Sequence, residues 1–154
     1  MNCKRLLAAA TLALSACFVP LSVMATDIEV SDPWARASVG TSRPGVAYME
    51  IRNHGEAEAV LEGLETPVAA MPELHESVIA DGQAQMRPVE QISIAPGETV
   101  TLAPGGLHVM LMKLQQPLEE GQAFEVTLQF QDGTSQDVRV PILSIGASGP
   151  DGGE

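Results

Sequence analysis

Short runs rich in Val, Ile, Leu and Thr, alternating in part with polar positions, occur at 28–30, 46–53, 59–66, 74–79, 85–89, 99–102, 108–114, 124–130 and 136–142. A period of two is the signature of a strand with one buried face. Turn formers separate the runs: Asn53-His54-Gly55, Asp81-Gly82, Ala95-Pro96-Gly97, Pro104-Gly105-Gly106, Glu120-Gly121 and Asp132-Gly133. These residues accept the backbone angles that reverse a chain. No segment carries a helical period with caps. The pattern predicts one all-β domain, a Greek-key barrel or sandwich. The stretch 146–154, Gly-rich with Ser and Pro, is expected to be disordered.

The first segment has a different rhythm. Lys4 and Arg5 precede a run from Leu6 to Val23 that is apolar apart from Thr11, Ser15 and Ser22. This is the form of a secretory signal, and Val23-Met24-Ala25 offers a small residue for cleavage after Ala25. Pro20 and the Ala-rich stretch argue against a retained membrane anchor. A lipoprotein signal is the competing reading, because Leu14-Ser15-Ala16-Cys17 resembles a lipobox and would leave a lipidated Cys17 on a membrane. Phe18-Val19-Pro20-Leu21 continues the apolar run where a lipoprotein usually turns polar, which favours cleavage after Ala25. The expected division is a signal at 1–25, a β-domain at 26–145 and a tail at 146–154, with the protein exported.

Charge narrows the partners. Eight Lys and Arg stand against twenty Asp and Glu, a formal net charge of −12, and removing 1–25 takes away Lys4 and Arg5 but no acid. Such a surface repels nucleic acid and anionic membrane. It suits cationic partners or metal ions, or serves only to keep an exported protein soluble. Both cysteines, Cys3 and Cys17, lie in the signal. The expected mature chain therefore has no cysteine nucleophile, thiol–disulfide exchange, iron–sulfur cluster or thiolate-bound blue copper. Imidazole and thioether remain as donors for a soft metal.

Four of those donors fall at informative positions. If Asp81 and Gly82 form a two-residue type I′ loop, Ala80 faces Gln83, Ile79 faces Ala84 and Ser77 faces Met86. His75 shares a strand face with Ser77, which sets it diagonally across from Met86. A slip of one residue would separate them. His108 and Met110 stand at i and i+2 of one strand and so point to one face. Two imidazoles and two thioethers favour Cu(I), whereas zinc favours Cys, His or carboxylate and calcium favours oxygen.

The spacing His75, ten residues, Met86, twenty-one residues, His108, one residue, Met110 matches the H-x10-M-x21-H-x-M pattern of the PCu(A)C family. The resemblance extends over Asp32-Pro33-Trp34-Ala35-Arg36, Ala47-Tyr48-Met49, Met86-Arg87-Pro88, Gly106-Leu107-His108 and Met110-Leu111-Met112, nearly the whole expected mature domain. It implies a cupredoxin-like β-barrel that binds one Cu(I) in the periplasm and performs no catalysis. It also implies delivery of the ion to a copper-accepting protein such as cytochrome c oxidase subunit II, at its copper A centre. Two features depart from the family. Leu74 and Glu76 flank His75 where some members have an extra Met. The tail lacks the His and Met that bind Cu(II) in many members, so one copper site is expected.

Other residues carry plainer expectations. His54 lies in a turn and is expected to be exposed. Met71 and Met112 are expected to pack, although Met112 continues the face of Met110 and offers a spare donor. Trp34 and Tyr48 are expected in the core. Arg36 and Arg87 would pair with acids or face a partner. No nucleophile elbow or glycine-rich phosphate loop appears. Two rivals stand beside the monomeric copper carrier. One is a copper monooxygenase, which would need a substrate pocket; the other is a metal-free β-sandwich that mediates protein contacts.

Overall fold

A computed structural model describes residues 27–150. The signal expected at 1–25, with its lipobox at Cys17, and residues 151–154 of the tail lie outside the described residues. Ten strands are present among the described residues: β1 (Ile28–Arg36), β2 (Gly45–Asn53), β3 (Ala59–Glu65), β4 (Ala69–Ala80), β5 (Gln83–Val89), β6 (Ile92–Ile94), β7 (Thr99–Leu102), β8 (Leu107–Leu114), β9 (Ala123–Phe130) and β10 (Ser135–Leu143). No helix occurs among the described residues, so the all-β expectation holds.

The strands run in the order β5-β4-β8-β2-β1-β10-β9-β3-β6, with β7 paired to the other end of β2. A parallel contact, Ala35 with Ile142 and Arg36 with Leu143, joins the sheet of β5, β4, β8, β2, β7 and β1 to the sheet of β10, β9, β3 and β6. Alternating inward residues of both sheets make the main core: Ala47, Met49, Ile51, Val109 and Leu111 from one, Leu61, Val126, Leu128 and Val140 from the other. Each of these buried Val, Ile, Leu and Met side chains contributes about 1.5–3 kcal/mol through removal from water.

Three differences from the sequence pattern have physical causes. Ile92-Ser93-Ile94 is a strand too short to show a period, yet Ile94 is fully buried beside Ala59. Strand β1 continues past Pro33 because Asp32 takes a positive φ and the register with β2 shifts between Ser31 and Trp34, the behaviour of a bulge. Strand β4 begins five residues before the expected start at Leu74 and accommodates Pro72, because β5 reaches only as far as Leu74 and leaves one side of that segment unpaired.

The β4–β5 hairpin follows the expected register. Asp81 and Gly82 both have positive φ, as a type I′ loop requires, and Ser77 pairs with Met86. At the other end of the chain the packed domain runs past the expected boundary at 145. Ala147 is buried with Trp34 and Tyr48, and its carbonyl accepts a hydrogen bond from Arg36 Nε at 2.8 Å.

Candidate metal site

The sheet face opposite the main core carries the four candidate donors. Strand β4 runs antiparallel to β8 with His75 directly opposite His108 and Glu73 opposite Met110. Alternation then sets His75, Glu73, His108 and Met110 on one face, while Leu74 and Val109 point into the core. The neighbouring β2 adds Val46, opposite Met110, and Tyr48. On the far side, β5 adds Met86 through its pairing with Ser77. The imidazoles of His75 and His108 have ring centroids 6.1 Å apart. His108 is buried and Met110 half-buried, whereas Met86, on the edge strand, is 59% exposed.

Hydrogen bonding fixes which nitrogens are free. Nδ1 of His108 lies 2.9 Å from the Gly106 carbonyl, which can only accept, so Nδ1 carries the hydrogen and the neutral ring keeps a lone pair on Nε2. Nε2 of His75 lies 3.0 Å from a carboxylate oxygen of Glu73; by the same reasoning its lone pair is on Nδ1. The two remaining nitrogens, His75 Nδ1 and His108 Nε2, are buried without a hydrogen-bond partner. A buried unpaired nitrogen costs about 1–3 kcal/mol, a cost that a metal ion coordinated there would offset. Metal-binding histidines characteristically donate their other N–H to a carbonyl or carboxylate, and both rings do so. Sequence reasoning missed Glu73 and Gly106, although each stands two residues before its histidine and so on the same strand face or its extension.

No group of three His, Cys, Asp or Glu side chains able to hold a metal occurs among the described residues. The same face presents the thioethers of Met110 and Met86 beside the imidazole pair, and a donor set of neutral nitrogen and sulfur suits a soft ion.

The surroundings of His108 are aromatic. Tyr48 lies 6.5 Å from it and 4.5 Å from Trp34, ring centre to ring centre. The Arg36 guanidinium sits 5.9 Å from the Trp34 ring centre and 5.8 Å from that of Tyr48, within cation–π range. Burial raises the Tyr48 pKa above the ordinary phenol value, with Arg36 acting in the opposite sense. Trp34 and Tyr48 are buried as expected, but they form a second cluster on the outer face, apart from the main core. Met71 and Met112 also depart from expectation. They are half-buried and belong to neither cluster. His54 is exposed in its turn and bonds Glu29. A cleft of about 270 Å³ is lined by Glu62, Leu64, Pro72, Glu73, Pro88 and Glu90, among others, with no His or Met.

The chain has relatives of known family and fold. The LpqE-like family, described as a lipoprotein family, matches residues 28–142. A protein of Leifsonia xyli subsp. xyli that carries a lipoprotein name, Lxx21020, is 36% identical over 143 residues, covering 88% of this chain and 85% of its own. The Cu(I) form of DR1885 from Deinococcus radiodurans superimposes with a TM-score of 0.58 at 34% identity, covering 74% of this chain and 78% of that one. The copper-bound PCuAC domain of PmoF2 superimposes with a TM-score of 0.65 at 24% identity, covering 77% and 93%. The latter likeness establishes the fold, that of the cupredoxin-like PCuAC domains. With three quarters of its length matched by one family and a relative above one-third identity, this chain belongs to the LpqE-like family of PCuAC domains.

Proposed function

We propose that the protein is a copper chaperone that holds one Cu(I) through His75 Nδ1, His108 Nε2 and the thioethers of Met86 and Met110. The observation that carries this reading is the pair of buried, unpartnered imidazole nitrogens, each left free by a hydrogen bond on the other side of its ring. The Cu(I)-bound state of the Deinococcus relative supports the choice of ion. Transfer follows from the exposure gradient. His108 is buried and Met86 largely open, so an incoming ligand displaces the Met86 thioether first and acquires the ion before the imidazoles let go. Nothing in this sequence of ligand exchanges breaks a covalent bond, which is why we read the protein as a carrier and not as an enzyme.

The recipient we propose is a copper-accepting protein such as cytochrome c oxidase subunit II, at its copper A centre. Export to the periplasm fits the signal-like segment 1–25, and the lipoprotein name of the Leifsonia relative gives weight to anchoring through Cys17. Mass spectrometry of the mature N-terminus separates the two processing routes. Copper transfer is tested by mixing the Cu(I)-loaded protein anaerobically with the apo acceptor, separating the two and measuring the copper bound to each. Transfer supports the proposed recipient; an acceptor that remains metal-free while the donor remains loaded excludes it.

A further inference from the structure

The methionines on the copper face extend past the proposed site. Along β4 and β8 the pairing continues from His75 opposite His108, through Glu73 opposite Met110, to Met71 opposite Met112. Alternation keeps all six on one side of the sheet. Met49 behaves as a filler of the main core. Met71 and Met112 do not, since they are half-buried on the outer face and join neither packed cluster. Two flexible thioethers are thus held directly opposite each other, where cross-strand side chains are about 4.5–5.5 Å apart at Cβ.

We propose that Met71 and Met112 form a second, all-thioether Cu(I) position, with Met110 standing between it and the histidine pair. This rests on the copper reading of the first site. Met71 and Met112 are each four residues from their histidine, roughly 13 Å at the rise of a strand. One ion cannot take ligands from both ends, so the positions are separate. Met110 stands about halfway and can lend its sulfur to either. Neutral thioethers select a soft monovalent ion, and without imidazole this position is the weaker of the two. It gives Cu(I) a place to enter or leave beside the tighter site.

The test is an anaerobic Cu(I) titration of the purified protein carrying 13C-labelled methionine methyl groups, with resonances assigned from single Met→Leu variants. These replacements are close in volume and leave the packing intact. The expected result is that Met86 and Met110 shift with the first equivalent and Met71 and Met112 shift together beyond it. The double variant Met71→Leu/Met112→Leu loses the second step and keeps the first. If Met86 and Met110 respond while Met71 and Met112 stay still in excess Cu(I), the second position is refuted and the first survives. If no methyl group responds, both fall.

Discussion

His75 and His108 face each other across the β4–β8 ladder, and each has one ring nitrogen bonded to a nearby oxygen and the other buried without a partner. The arrangement keeps each ring in one tautomer with its lone pair available. Copper binding as proposed would start from ligands that are already oriented, which would lower the ordering cost of capturing the ion.

Glu73 is the first test of that orientation. Its carboxylate accepts the His75 Nε2 hydrogen at 3.0 Å, and loss of such an outer partner typically weakens metal binding about 10–100-fold. Glu73→Ala should show a loss of that size in Cu(I) affinity. The thermal midpoint should change little, because the Glu73 side chain is 38% exposed. Affinity equal to that of the parent protein would mean that the carboxylate does not position His75.

The β4–β5 loop is the second. Gly82 has a φ of 75° with open space around the position where a Cβ would stand, so any penalty for a larger residue comes from the backbone alone. Gly82→Val should cost roughly 1–2 kcal/mol, felt mainly by the edge strand β5 that carries Met86. Amide exchange in β5 should quicken, and Cu(I) affinity should move toward that of Met86→Ala. Unchanged exchange would show that the loop does not hold the strand.

Asn53 separates stability from binding. It is buried at the end of β2; its Nδ2 donates to the carbonyls of Ala57 at 2.7 Å and Ile94 at 2.9 Å, and its Oδ1 accepts from the Gly55 amide at 2.9 Å. Asn53→Ala leaves these backbone groups without their partner and should cost about 2–3 kcal/mol in urea unfolding. Cu(I) affinity of the folded fraction should remain at the parent value. A cost below about 0.5 kcal/mol, the range of ordinary surface changes, would show that the three bonds are replaced by water.

Much of the site was legible because local chemistry fixes local geometry. Asp81-Gly82 sets the hairpin phase, so the pairing of Ser77 with Met86 follows from the sequence. The i, i+2 relation of His108 and Met110 follows from the pleat. The meeting of His75 with His108 is different in kind. It depends on the long-range pairing of β4 with β8, and neither strand announces its partner. The same gap explains Met71 and Met112: alternation tells which residues share a face, but not whether that face is the core. Ala147 looked like part of a loose tail because its burial depends on Trp34 and Tyr48, more than ninety residues earlier.

Copper binding by His75, Met86, His108 and Met110 is read out by an anaerobic Cu(I) titration against a competing chromophoric chelator. The parent protein would be measured beside His75→Ala, Met86→Ala, His108→Ala and Met110→Ala, with circular dichroism to confirm the β fold. The predicted result is one tight equivalent that each substitution weakens by about 10-fold or more, since a direct ligand should matter at least as much as its outer partner. Parent-like affinity in both His108→Ala and Met110→Ala, with the fold intact, would contradict the site.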